Sequence, residues 1–242
     1  MLRHTGQKRS FSHNLRLAVL LCLNAGFVNA AGFMAFAVLT TNVTGHAALL
    51  AVHLASLNLR AARMVGLWLL LFLAGAFSSS WYIGHIGREK AFAYTIPIVL
   101  ILVLVLFIAV FGNSYRHTLP ETEYFAGSLL FAMGMQNALV SMISGSVVRT
   151  THLTGMFTDL GIDLSHAVLS RGHISSPQRR RIGLRCAIIG SFLLGGIGGG
   201  FIYLRLSFAA FYIPAGLLVL TLCYDYFRIG IKRVVIHHRQ RI

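Results

Sequence analysis

With 242 residues, 56% of them apolar and only 11% charged, and a mean hydropathy of +0.73, the chain lacks the polar surface that a water-soluble protein of this size needs. A bilayer is its natural solvent. The net charge of +15 does not point to nucleic acid, because the basic residues sit in tails and short connections instead of on one face.

Runs near the roughly 20 apolar residues that cross a bilayer are read in chain order. A basic tail, 1–14, precedes an apolar run at 15–37, which follows the tail without a convincing cleavage site and is expected to stay as an anchor. Further full-length runs lie at 62–86, 91–111, 123–143, 182–205 and 209–229. Two shorter stretches, 44–58 and 153–170, follow the first and fourth of these and are too short or too polar to be ordinary spans. Cys22, Cys186 and Cys223 lie inside apolar runs, share no CxxC or Cys/His ligand spacing, and read as small core hydrophobes.

Lysine and arginine in short connections set the orientation. Arg3, Lys8, Arg9 and Arg16 in the N-terminal tail place it in the cytoplasm, as do Arg171 and Arg179 to Arg181 for the 171–181 loop. Arg228, Lys232, Arg233, Arg239 and Arg241 do the same for the C-terminal tail. Arg88 and Lys90 mark another cytoplasmic connection, while 112–122, with Arg116 alone, and 206–208 face outward. The pattern closes only if each short polar helix adds no crossing of its own, giving six net crossings; Arg60 and Arg63 then stand on the outer side, a mild violation.

The chain repeats itself. Gly26-Phe-Val-Asn29-Ala30 matches Gly134-Met-Gln-Asn137-Ala138, and Thr40-Thr41-Asn42-Val43-Thr44-Gly45 matches Thr150-Thr151-His152-Leu153-Thr154-Gly155. Phe72 to Trp81, with Gly75, parallels Phe192 to Phe201, with Gly195, and Ile96-Pro97 parallels Ile213-Pro214. The expected organisation is a first repeat over 15–112, an outer loop at 113–122, a second repeat over 123–230 and a basic tail at 231–242. Each repeat has an odd number of net crossings, so the second must be inverted.

Inverted repeats are a device of secondary transporters, whose sites lie where discontinuous helices meet near the midplane. The two TTxxTG segments are the natural breaks: threonine hydroxyls compete for backbone hydrogen bonds, glycine weakens a helix, and a helix starting there presents free N–H groups that favour an anion. Arg149, just before the second break, could add a cation. On the helix beyond, His152, Asp159, Asp163 and His166 share one face. Their counterparts in the first repeat are Asn42, Leu49, His53 and Ser56, a weaker stripe.

Asp163 and His53 are functional candidates because ionisable groups at membrane depth are costly. The competing reading is a helix near the cytoplasmic interface whose wet face this is. No metal site is assigned, because no catalytic motif accompanies the stripe. The Gly195 to Gly200 run sits mid-span and reads as close helix packing.

At Gly26-Phe-Val-Asn29-Ala30-Ala-Gly32-Phe, the Thr41-Asn-Val-Thr-Gly45 break, Ala132-Met-Gly-Met-Gln-Asn-Ala138 and Arg149-Thr-Thr-His-Leu-Thr-Gly155, the chain resembles the YoaK (DUF1275) family of bacterial membrane proteins, from about residue 13 to 230. The resemblance implies location more than activity. Relatives tend to carry an aspartate before the first alanine, where this chain has Asn29, and a TGN-like ending, here Thr44-Gly45-His46. A proton-carrying role for that aspartate would not transfer to Asn29.

The expected protein is therefore an all-α polytopic membrane protein of the bacterial inner membrane, with both termini cytoplasmic and two short broken or re-entrant helices. It is expected to be a secondary transporter or channel for a small solute, with an anion favoured, and not an enzyme. The alternative is a non-transporting scaffold or sensor. Candidate substrate-binding residues are Asn29, Asn42, Thr44, Gly45, Asn137, Thr151, His152, Thr154 and Gly155, with His53, Asp159 and Asp163 as coupling or proton-relay groups. No cofactor is called for. The expected partners are the lipid bilayer and the solute, with a homo-oligomer left open and nucleic acid excluded.

Overall fold

A computed structural model describes residues 11–87, 90, 93–144, 153–170 and 175–223. All regular structure in them is helical. In chain order they form α1 (Phe11–Phe36), α2 (Val43–Ala55), α3 (Leu59–Ile86), α4 (Thr95–Phe111), α5 (Leu119–Ser144), α6 (Leu153–Leu169) and α7 (Ser176–Leu206). A 3₁₀ turn (Ser207–Phe211) then leads into α8 over 212–223.

Five stretches among the described residues are long and apolar enough to cross a membrane; the last, Ser176–Cys223, contains both α7 and α8. Their outward faces confirm the solvent. Leu70, Leu73, Phe77 and Trp81 on α3, and Leu194, Ile197, Phe201 and Leu204 on α7, are all more than half exposed. An apolar band of that extent needs lipid beside it. The chain is a multi-pass helical membrane protein.

The core is built by two helix pairs that approach through glycine. A β-carbon at Gly195 would run into the Leu23 carbonyl and one at Gly199 into that of Phe27, so α1 and α7 advance together and run parallel. On the other side, Gly127 faces Leu71 and Gly75 faces the Phe131 carbonyl, so α3 and α5 are also parallel. The contacts correspond in detail: Gly26 abuts the Phe192 carbonyl, and its repeat partner Gly134 abuts that of Phe72, the repeat partner of Phe192. Only glycine lets backbones approach this closely, which is why both repeats keep small residues here. The two pairs are tied together in the core by Asn24 and Gln136: Asn24 Nδ2 donates to Gln136 Oε1 at 2.7 Å, and Gln136 Nε2 donates to the Leu21 carbonyl at 2.9 Å.

Of the cysteines, only Cys22 is a core residue. Cys186 and Cys223 are exposed, because they occupy outward faces of α7 and α8, where lipid rather than protein surrounds an apolar side chain.

Candidate functional site

The first break turns the chain back into the protein. Ala37 ends α1 with φ of 55°, its N–H donating to the Phe33 carbonyl at 2.8 Å, a left-handed helix stop. The following residues retrace the helix they have left: Thr40 packs against Gly32, and the Thr41 N–H donates to Asn29 Oδ1 at 3.1 Å. Asn29 lies inside the Val19–Phe36 apolar span, so α2 begins beside the apolar part of α1. Asn42 caps it, its Oδ1 accepting from the Gly45 N–H at 3.0 Å. Buried His46 fixes the break to α2 by donating from Nε2 to the Leu39 carbonyl at 2.7 Å, with its ring edge against Trp68 of α3. Leu57, with φ of 54°, makes the tight turn that lets α2 and α3 pack as a hairpin.

The second unit has the same plan where it is described. Residues 145–152 lie outside the described residues, so the expectations for Arg149, Thr151 and His152 are not placed. Beyond them, α6 packs against α7 as α2 packs against α3.

Both helix starts open into one cavity of about 460 Å³. Its lining comes largely in repeat pairs: Asn29 with Asn137, Val43 with Leu153, Thr44 with Thr154, and Phe72 with Phe192. Leu39, Thr41, Asn42 and Gly155 complete it. The predicted residues Asn29, Asn42, Thr44, Asn137, Thr154 and Gly155 are thus brought together, from α1, α5 and the two helix starts. Gly45 stands just behind the lining, against the Asn42 side chain. Asn29 Oδ1 is taken by Thr41, and Asn137 Oδ1 is buried without a hydrogen bond among the described residues; Thr151, the counterpart of Thr41, lies outside them.

His53, Asp159 and Asp163 do not line this cavity. Asp163 is 5% exposed and paired with Arg185 and, at 3.5 Å, Arg181 of α7. Arg185 also reaches Asp159, at 3.2 Å to its carboxylate and 3.1 Å to its carbonyl. Gln178 Nε2 donates to the Asp163 carbonyl at 3.2 Å. The second stripe therefore holds α6 onto α7, with His166 left exposed, while His53 is half-buried on α2. Arg185 was missed from sequence, as were Phe72 and Phe192 as lining residues. The signals were present: an arginine inside an apolar run, and phenylalanines one turn ahead of the paired glycines.

The arrangement can hold a small solute by polar side chains and N–H groups at two helix starts. Among the described residues there is no cluster of three metal-ligating side chains. No curated protein and no solved structure matches the chain. A family described as a protein of unknown function (DUF1275) matches residues 17–224, and the chain belongs to that family.

Proposed function

We propose that the protein is a secondary transporter or channel of the bacterial inner membrane for a small solute carrying an anionic group, bound in the cavity between the two breaks. The observation that carries this reading is the paired lining: one cavity receives equivalent residues from both repeats. In this reading the chain makes six net crossings, with α7 and α8 as separate passes. The second repeat is inverted relative to the first. The parallel run of α1 with α7, the counterpart of α3, supports that inversion, because α3 returns across the membrane after α1 has crossed it.

Two helix N-termini facing one cavity each bring about half a positive charge and unsatisfied N–H groups. Thr44 and Thr154 add hydroxyls, and Phe72 and Phe192 close the sides. A carboxylate or phosphate suits the helix starts. His53, Asp159 and Asp163 would act on the helices rather than on the solute. Coupling through Asp163 requires its pairing with Arg185 to open and α6 to move on α7.

Purified protein in proteoliposomes should show uptake or saturable binding of one class of small anion, lost in Thr44→Val with Thr154→Val. Neither flux nor binding across a broad panel, with intact protein, would sink the reading. The second reading, a non-transporting scaffold or sensor, is favoured by one observation: the Asp163 charge is already satisfied by Arg185, as in a structural clamp. It predicts that no solute is bound and that Asp163→Asn alters only assembly.

A further inference from the structure

Arg60 and Arg63, the pair that violates the charge rule for loops, open onto a second cavity of about 380 Å³ at the start of α3 and α5. Neither forms an ion pair among the described residues. The same cavity is lined by Leu119, Pro120 and Glu123 of α5. Glu123 is shared with an adjoining groove of about 360 Å³, whose remaining lining includes Leu67, Leu71, Leu104 and Phe131. The two cavities meet at Glu123 and are taken together as one groove along α3 and α5. Two guanidinium groups and a carboxylate lie at its mouth, and apolar side chains run inward from there.

We propose that this groove binds one phospholipid whose headgroup carries both a phosphate and a primary ammonium, as phosphatidylethanolamine does. The phosphate pairs with Arg60 and Arg63, for which arginine's forked donors are suited. The ammonium pairs with Glu123, and an acyl chain lies against Leu67, Leu71, Leu104 and Phe131. The carboxylate decides among headgroups: it repels a purely anionic one, such as that of phosphatidylglycerol, and a choline has no N–H to donate to it. The arginines on the outer side are then headgroup ligands, and a membrane lipid becomes an integral part of the α3–α5 face. The inference is independent of the transport reading, since it uses neither the breaks nor their cavity.

The test is native mass spectrometry of the delipidated full chain with phosphatidylethanolamine, phosphatidylcholine or phosphatidylglycerol of identical acyl chains. A single phosphatidylethanolamine adduct should form with about fivefold higher occupancy than either competitor, the size expected of one partly exposed charged hydrogen bond. Glu123→Gln should abolish that preference while leaving phosphatidylglycerol binding intact or improved. Arg60→Gln with Arg63→Gln should lower binding of all three lipids. Soluble phosphoethanolamine should fail to compete, because it cannot occupy the apolar groove. Equal occupancy by the three lipids, a phosphatidylglycerol preference in the unaltered chain, or displacement by soluble phosphoethanolamine would each overturn the proposal. So would an unchanged headgroup preference in Glu123→Gln, whose half-exposed site leaves folding intact.

Discussion

Asp163 shows how a costly residue can be made tolerable in an apolar setting. Its carboxylate is 7% exposed, and Arg185, itself 20% exposed, brings a guanidinium from the next helix. Removing one partner leaves the other charged and poorly solvated, so Asp163→Ala should cost about 2 kcal/mol in a reversible detergent-unfolding titration. Asp159→Ala should cost well under half as much, because Asp159 is 46% exposed and its pairing is screened. In a double-mutant cycle, Asp163→Ala and Arg185→Met should couple strongly; additive losses would show that the pair contributes nothing. At this scale the sequence was informative where the repeat doubled the signal. Asn29, Thr44, Asn137 and Thr154 stand out because each has a counterpart, and all four line the cavity. Arg185 and the Asn24–Gln136 link carry no such echo: the repeat places Val65 and Val28 opposite Arg185 and Gln136. Their partners come from distant helices, and a contact across 112 residues has no local trace.

Helix boundaries were the most readable feature, because apolar runs and their breakers act locally. The expected spans coincide closely with α1, α3, α4, α5 and α7, and the short stretches with α2 and α6. The point along α1 beside which α2 begins was less accessible, since it depends on the hydrogen bond from Thr41 back to Asn29. Glycine separates packing from propensity at this scale. Gly75 and Gly195 face backbone carbonyls of α5 and α1, whereas Gly84 and Gly190 have nothing within 4 Å. Gly75→Ala and Gly195→Ala must push helices apart and should each destabilise by about 1–3 kcal/mol. Gly84→Ala and Gly190→Ala should be neutral or stabilise by up to about 1 kcal/mol, through helix propensity alone. The same unfolding titration compares the four; equal effects would mean that the close helix crossings do not form.

Over the whole molecule, two parallel pairs, α1 with α7 and α3 with α5, exchange helices between the repeats, so neither repeat is a free-standing body. That exchange brings two helix starts, far apart in sequence, to one cavity. The two units are not equal: α6 is held to α7 by the Asp159, Asp163 and Arg185 cluster, while α2 meets α3 through His46 and Trp68.

The central claim is that solute reaches the cavity between the breaks from water. Thr44→Cys and Thr154→Cys, made singly in a chain with Cys22, Cys186 and Cys223 replaced, test it by labelling with a small membrane-impermeant thiol reagent applied from each side. Both positions should label from at least one side, and a bound solute should protect both together. Failure of both to label from either side, in protein that still folds, would contradict the account.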